Sequence, residues 1–276
     1  MKKKRLSMTI IIVLLIAGLS LILYPTISDF LRSRAYRDVI TEYRTAVEAL
    51  DEESYEAILE AAIEYNERLA AANEGLRILT EKELEEYESL LNFSGNGVMG
   101  YVVIPKIDVS LPIYHGTTAV VLQSGAGHLE GTSLPIGGES THAVLSGHRG
   151  LPSATLFSDL DQLTEGDTFT VHVLKEVLLY EVDQITVVQP PQWESLLIEP
   201  GKDYCTLLTC TPYGVNTHRL LVRGHRIETP EDLSESEWES GVNSAPEVGI
   251  FVTLVVVVLL IVILRRRKSR RKRNPV

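Results

Sequence analysis

Apolar and polar positions divide the chain into stretches of three different periods. Met8–Tyr24 and Val248–Leu264 are each 17 residues without a charge, near the lower limit for a membrane-crossing helix of about 20 apolar residues. From Asp29 to about Leu91 the period is helical. Tyr36, Val39, Ile40, Tyr43, Val47 and Leu50 recur at three- and four-residue steps, and Tyr55, Ile58, Leu59, Ala62 and Ile63 repeat the pattern after an acidic break at Asp51-Glu-Glu. Such a stripe implies packing against a neighbouring domain, or a stalk. Asn73–Leu91 is a weaker helix, interrupted by Gly75, and its acidic run Glu81–Glu88 has the pattern of a solvated face.

The period changes again at Asn92-Phe-Ser-Gly-Asn-Gly97. From there to Ile227 the chain is β-branched and punctuated by Gly and Pro, with strands expected at Gly100–Ile104, Leu111–Tyr114, Ala143–Ser146, Thr168–Val173, Leu178–Val182, Ile185–Val188, Tyr204–Cys210 and Arg219–Arg223. Ala119–Ser124 and Ala154–Gln162 have the pattern of short helices. Eight strands at turn-separated spacing predict a mainly β domain, a barrel or a sandwich. The resulting organisation is a tip and first span over residues 1–28, a helical region over 29–94, the β domain over 95–228, an acidic linker over 229–247, a second span over 248–264 and a tail over 265–276.

Charge gives these segments a topology. The net charge of −11 divides sharply: 12 of the 26 basic residues lie in Lys2–Arg5 and Arg265–Arg273, and all 37 acidic residues lie between Asp29 and Glu247. The middle therefore keeps 14 cations against 37 acids, a net −23, which argues against nucleic acid as a partner. Basic residues flank both apolar runs, and the positive-inside rule assigns both termini to the cytoplasm. The first run is then an uncleaved signal anchor, and residues from about 30 to 246 face outward from a bacterial plasma membrane.

Only two cysteines are present, Cys205 and Cys210. Five residues apart on one strand, they point to opposite faces about 16 Å apart, beyond the roughly 7 Å that a disulfide spans. Cys205 is expected in the core. An exported thiol without a partner suits nucleophilic chemistry, and Cys210 ends its strand just before the turn Pro212-Tyr213-Gly214. The seven histidines include no HExxH or Cys-x-x-Cys spacing, so no metal and no cofactor is expected. His148, in Leu145-Ser-Gly-His-Arg-Gly-Leu-Pro152, ends an apolar strand in a glycine-flanked loop and is the candidate base. Arg219, Arg223 and Arg226 follow the thiol; Arg219 and Arg223 share one strand face, and spacing alone leaves open which of them faces Cys210.

Thr206-Leu-Leu-Thr-Cys210 resembles the Thr-Leu-x-Thr-Cys signature of sortases, the cysteine transpeptidases of the Gram-positive surface. Thr209-Cys-Thr-Pro-Tyr-Gly-Val-Asn-Thr-His-Arg219, Ser146-Gly-His-Arg-Gly-Leu-Pro152, Gly127-His-Leu-Glu-Gly-Thr-Ser133 and Tyr101-Val-Val-Ile-Pro-Lys106 resemble the class C, pilus-assembling branch, in order and nearly continuously from Gly95 to Ile227. The resemblance implies an eight-stranded closed β-barrel with short helices, here preceded by the helical region and flanked by two transmembrane helices. It further implies that Cys210 is the nucleophile, His148 the general acid and base, and Arg219 the stabiliser of oxyanion and substrate. Thr209, Tyr213 and Arg223 are the candidate substrate contacts. The partners would be pilins or surface proteins bearing a Leu-Pro-x-Thr-Gly-type sorting signal, with a pilin lysine as acceptor; a peptidoglycan amine is the alternative acceptor, and a non-catalytic membrane-tethered scaffold the alternative class. In one respect the chain departs from the branch. Many members carry an Asp-Pro-aromatic lid motif, and no Asp-Pro occurs in this sequence, where the lid position falls at about Asn73–Phe93.

Overall fold

Backbone pairing in the computed structural model runs unbroken around eight strands: β1 (Val98–Ile104), β2 (Val109–His115), β3 (Ala126–His128), β4 (Thr141–Ser146), β5 (Thr168–Val173), β6 (Glu176–Val188), β7 (Asp203–Thr211) and β8 (His218–Arg226). They close a barrel in the order β1-β2-β3-β4-β7-β8-β6-β5. The structure describes residues 2–72, 79–190 and 193–230. The acidic linker, second apolar run and basic tail expected beyond 230 lie outside the described residues. The chain divides into two units, the first including residues 1–30 and the second running from 31 to 242; the site belongs to the second.

Eight strands were expected and eight are present, but two of them differ. The stretches Leu178–Val182 and Ile185–Val188 form one strand, β6, whose pairing with β8 shifts between Val182 and Gln184. The bulged Asp183 breaks the period of two that strand patterning depends on. Their place in the count is taken by β3, whose three residues are too few to show alternation. The helix expected over Ala154–Gln162 is instead a series of turns ending in a single 3₁₀ turn, Leu160–Gln162. Ala119–Ser124 is helical as expected (α4), its Thr118 side chain accepting from the Val121 amide.

Three helices precede the barrel: α1 (Lys2–Glu48), α2 (Glu52–Ala72) and α3 (Glu81–Ser89). The acidic break between α1 and α2 is a cap, since the Asp51 carboxylate accepts from the Ser54 amide at 2.7 Å. The apolar stripe of α1 does pack on the β domain. Ile40, Tyr43 and Val47 cover Val98, Tyr101 and Val103 on the outer face of β1, and the Tyr43 hydroxyl donates to Met99 O at 3.0 Å while accepting from Leu174 N at 2.8 Å. Tyr55, Ala62 and Tyr65 of α2 and Tyr87 of α3 are continuous with the barrel core, which is filled by Val102, Ile104, Leu111, Ile113, Leu145, Phe169, Val171, Leu207 and Val222. The acidic α3 is thus more than a solvated face. Tyr87 reaches inward to His128 Nδ1 at 2.9 Å and accepts from Gly116 N at 3.0 Å.

The first apolar run lies wholly within α1, and several of its side chains are outside the described ones. No helix among the described residues is long and apolar enough to cross a membrane.

Candidate active site

The alternation of β7 decides which thiol is available. Cys205 and Leu207 point into the barrel with the core, so Cys210, of opposite parity, points outward with Leu208. Cys205 is fully buried, and burial together with the nearby Asp203 carboxylate pushes its thiol well above the ordinary range. Cys210 is half-buried at the strand end, and both thiols are free. Cys205 is in the core as expected, and Cys210 is the more accessible of the two thiols.

His148 follows the end of the neighbouring strand, β4. β4 and β7 run parallel, with Ala143 beside Cys205 and Ser146 beside Leu208. The pairing extends one step past β4, where Gly147 N donates to Leu208 O at 2.9 Å. Two residues beyond Ser146 is His148, and two beyond Leu208 is Cys210, so base candidate and thiol lie equally far past the last pair of the ladder. Thr209 fixes this junction: its buried hydroxyl donates to Gly147 O at 2.8 Å. A side chain at 147 would not fit, because a Cβ there would come within 2.5 Å of the Phe157 ring. Phe157 also donates its amide to His148 O at 3.1 Å. Burial alone pushes the His148 imidazole below its ordinary value, favouring the neutral ring.

On the other side of β7, the antiparallel register places Arg219 directly opposite Cys210. Its guanidinium donates to the carbonyls of its own turn, His218 O at 3.0 Å and Asn216 O at 3.3 Å, which limits its swing while leaving other N–H groups available. The choice that spacing left open is therefore decided by register. Arg223 lies opposite Thr206, four residues along the strand. It is engaged elsewhere, with both oxygens of Asp183 at 3.0 and 2.9 Å, Glu199 at 3.3 Å and the face of Tyr204 at 4.1 Å.

The three candidate substrate contacts separate accordingly. Thr209 is inside the wall and ties two strands together; Arg223 clamps the outer wall away from the thiol. Tyr213 is 63% exposed on the β7–β8 turn beside the site. The residue that sequence reasoning passed over is Arg149, next to His148, whose guanidinium donates to Thr211 Oγ1 at 3.2 Å and pairs with Asp161. Its signal was present only as a cation adjoining the candidate base.

Below the Cys210–Arg219 rung, Val144, Leu208 and Leu221 form an apolar patch capped by Leu196, with Leu129, Val188 and Trp193 partly buried around it. The arrangement has an outward thiol, an arginine paired with it across the ladder, and a histidine whose burial favours the neutral ring just past the neighbouring strand. These are the elements of acyl transfer through a covalent intermediate: nucleophile, proton carrier and oxyanion donor. Among the described residues no group of three or more His, Cys, Asp or Glu side chains is placed to hold a metal.

Comparison with known proteins agrees with this geometry. Residues 102–227 match the family model described as "Sortase domain". The chain is similar to the crystal structure of sortase C1 from Streptococcus agalactiae, at 53% identity and a TM-score of 0.68, covering 70% of this chain and 100% of that one. It is also similar to sortase C from Streptococcus pneumoniae (46% identity, TM-score 0.61, 70% and 97% covered) and to sortase C-1 from Actinomyces oris (47%, 0.60, 64% and 100%). Among curated relatives, the sortase A of Bacillus anthracis is 31% identical over 48% of this chain and 61% of its own length. With the next two the shares of their own length are 57% and 63%, so the chain spans about three fifths of these curated relatives.

Proposed function

Because this chain belongs to the sortase family of cysteine transpeptidases, we propose that it cleaves a Leu-Pro-x-Thr-Gly-type sorting signal between Thr and Gly and joins the threonine to a lysine amine of a pilin subunit. The observation that supports this reading is the strand register: Cys210 pairs directly with Arg219 across β7 and β8, and His148 and Cys210 each lie two residues beyond the last β4–β7 pair, Ser146 and Leu208.

In the first half-reaction the Cys210 thiol gives its proton to His148 as the sulfur attacks the threonine carbonyl carbon. A C–S bond forms, the carbonyl electrons move to oxygen, and the Arg219 guanidinium donates to that oxyanion. Collapse breaks the C–N bond to glycine, and the imidazolium of His148 gives its proton to the departing amine. In the second half-reaction neutral His148 takes a proton from the incoming lysine amine as it attacks the thioester. The C–S bond breaks and an isopeptide bond remains. The energy of the original peptide bond is held in the thioester, so no nucleotide is needed.

Pilin as substrate is supported by the class C neighbours; the solved Streptococcus pneumoniae sortase C bears on pilin substrate specificity. The chain would be held by its two apolar runs in a bacterial plasma membrane, with both basic termini cytoplasmic and residues 95–228 outside as the catalytic domain. This topology rests on the charge pattern of the sequence.

The test is to incubate the full-length protein in detergent with a pilin subunit carrying a sorting signal and to resolve the products by mass. A ladder of covalent oligomers, absent with Cys210→Ala, is the expected result. Singly modified products that form only with a peptidoglycan amine would overturn the pilin assignment. Cleavage undiminished in Cys210→Ala would overturn the chemistry altogether.

A further inference from the structure

Arg149 is a buried cation in the wall of the site. Its side chain is 7% exposed, yet one of its two hydrogen-bonding partners is neutral and the other, Asp161, is 50% exposed. The Nε–H is buried with no hydrogen-bond partner among the described residues. Desolvating a guanidinium costs several kcal/mol by general estimates, and exchanging a buried ion pair for apolar packing is often neutral or stabilising. Stability alone therefore does not account for a cation here.

Its connections do. Arg149 follows His148 by one residue, and Thr211 follows Cys210 by one. The bond from Nη1 to Thr211 Oγ1 at 3.2 Å thus joins the position after the base to the position after the nucleophile. From the other nitrogen, Nη2, the pair with Asp161 ties the same group to the 3₁₀ turn Leu160–Gln162. That segment grips the loop at two more points, Phe157 N to His148 O at 3.1 Å and Gly150 N to Ser158 Oγ at 3.0 Å. Across the guanidinium lies the Tyr213 ring, its centroid 5.8 Å from Cζ. Gly150, at φ +80°, follows the ring so closely that a Cβ would meet Tyr213 Cζ at 3.3 Å. Arg149 bonds to both the turn behind His148 and the strand end of Cys210.

We propose that Arg149 is a positioning residue: by bridging Thr211 and Asp161 it holds the His148 loop in register with the end of β7, and so sets the distance over which His148 and Cys210 exchange a proton. A planar fork with donors on two nitrogens suits this task, whereas the single ammonium of lysine is a point charge that cannot hold two acceptors at a fixed angle. The proposal rests on reading His148 and Cys210 as the catalytic pair, and it assigns Arg149 no contact with substrate.

The test uses the full-length protein in detergent, with Arg149→Lys, Thr211→Val and the double variant. Three quantities are measured: kcat and KM for cleavage of a sorting-signal peptide, the pH profile of Cys210 alkylation by iodoacetamide, and Tm. A misplacement near 1 Å costs up to about a hundredfold in rate. Arg149→Lys is therefore expected to lower kcat about ten- to hundredfold, to leave KM within about twofold and to shift the alkylation profile. Thr211→Val, which keeps the side-chain shape, is expected to move kcat and the profile in the same direction. The double variant should be no worse than the worse single one, since both remove one bridge. Wild-type kcat and alkylation profile in both single variants, or losses that multiply in the double, would overturn the proposal. Should Arg149→Lys lower Tm by more than a few degrees, Thr211→Val alone decides the matter. Cys210→Ala separates the two levels of the argument. Full loss of cleavage there with no effect at Arg149 or Thr211 sinks only this proposal, whereas retained cleavage sinks the active-site reading on which it rests.

Discussion

Cys210 and Arg219 are direct partners across the β7–β8 ladder, while Arg223, on the same face four residues later, is the partner of Thr206. Two arginines of similar sequence context therefore have opposite expected phenotypes. Removing one oxyanion donor costs about 10²–10³ in kcat, and Arg219→Ala should show that loss in peptide cleavage with Tm nearly unchanged. Arg223→Ala leaves Asp183 without its bidentate partner and should lower stability by about 1–3 kcal/mol while cleavage falls less than tenfold. Urea unfolding paired with a cleavage assay separates the two. Equal kinetic losses would mean that register does not decide the oxyanion donor.

The two thiols should differ just as sharply in reactivity. Cys205 is enclosed in the core and held neutral by burial and the Asp203 charge, while Cys210 is half-buried at a strand end. Treating the folded protein with iodoacetamide should label one thiol, lost in Cys210→Ala, and treatment in guanidinium should label two. Fast native labelling of the Cys210→Ala variant would contradict the enclosed position of Cys205.

How much of this was legible beforehand depended on whether a feature lived in one strand or between strands. The inward Cys205 and outward Cys210 follow from parity within β7, and the sequence carried that in full. Spacing alone left Arg219 and Arg223 level, and the preference for Arg219 rested on the family resemblance; the physical reason for it, the pairing of β8 with β7, is a relation between strands. Thr209 was expected at the substrate because it adjoins the nucleophile; the same alternation that exposes Cys210 turns Thr209 inward to Gly147. A bulge at Asp183 hid the continuity of β6, and β3 is too short to have a pattern. The acidic run of α3 drew attention to its solvated face, while its one buried aromatic, Tyr87, makes the contact with the barrel.

Thr209→Val tests the inward role directly. Valine keeps the shape of threonine and removes only the donor to Gly147 O, 2.8 Å away in the wild type. A buried acceptor left unmet costs about 1–3 kcal/mol. That loss in stability should come with a lower kcat, since Gly147 precedes His148, and with KM close to wild type. A raised KM with intact stability would instead restore Thr209 as a substrate contact.

Two histidines outside the site should make the fold acid-sensitive. Burial pushes His128 and His172 down from 6.5 to about 4. Between those values the unfolded chain binds protons that the folded chain refuses, so unfolding becomes more favourable as pH falls through this window. The full effect is about 3 kcal/mol for each. The buried Asp203, with its carboxyl pushed upward, works in the opposite direction. Tm should therefore drop between pH 6.5 and 4, and His172→Gln should give a shallower drop than wild type. Identical slopes would show that His172 protonates as readily when folded as when unfolded.

Within the helical region before the barrel, α2 is tied to it through a buried amide. Asn66 of α2 donates to Leu134 O at 3.1 Å and accepts from Leu134 N at 2.7 Å, meeting both backbone groups of a residue 68 positions away. Leu134 follows Ser133, whose carbonyl is bonded by His128 Nε2 at 2.7 Å and whose hydroxyl accepts from His142 N at 3.0 Å. The chain from α2 through this loop thus leads to the start of β4, the strand that ends two residues before His148. Asn66→Ala leaves a buried donor and a buried acceptor unmet, a loss of about 2–6 kcal/mol at about 1–3 for each. If α2 and the barrel unfold as one unit, the urea transition should stay single, with an unchanged m-value and a lower midpoint. Early proteolysis within α2 accompanied by a barrel of undiminished stability would instead show that the helix is an appendage, and that β4 takes its position from the barrel alone.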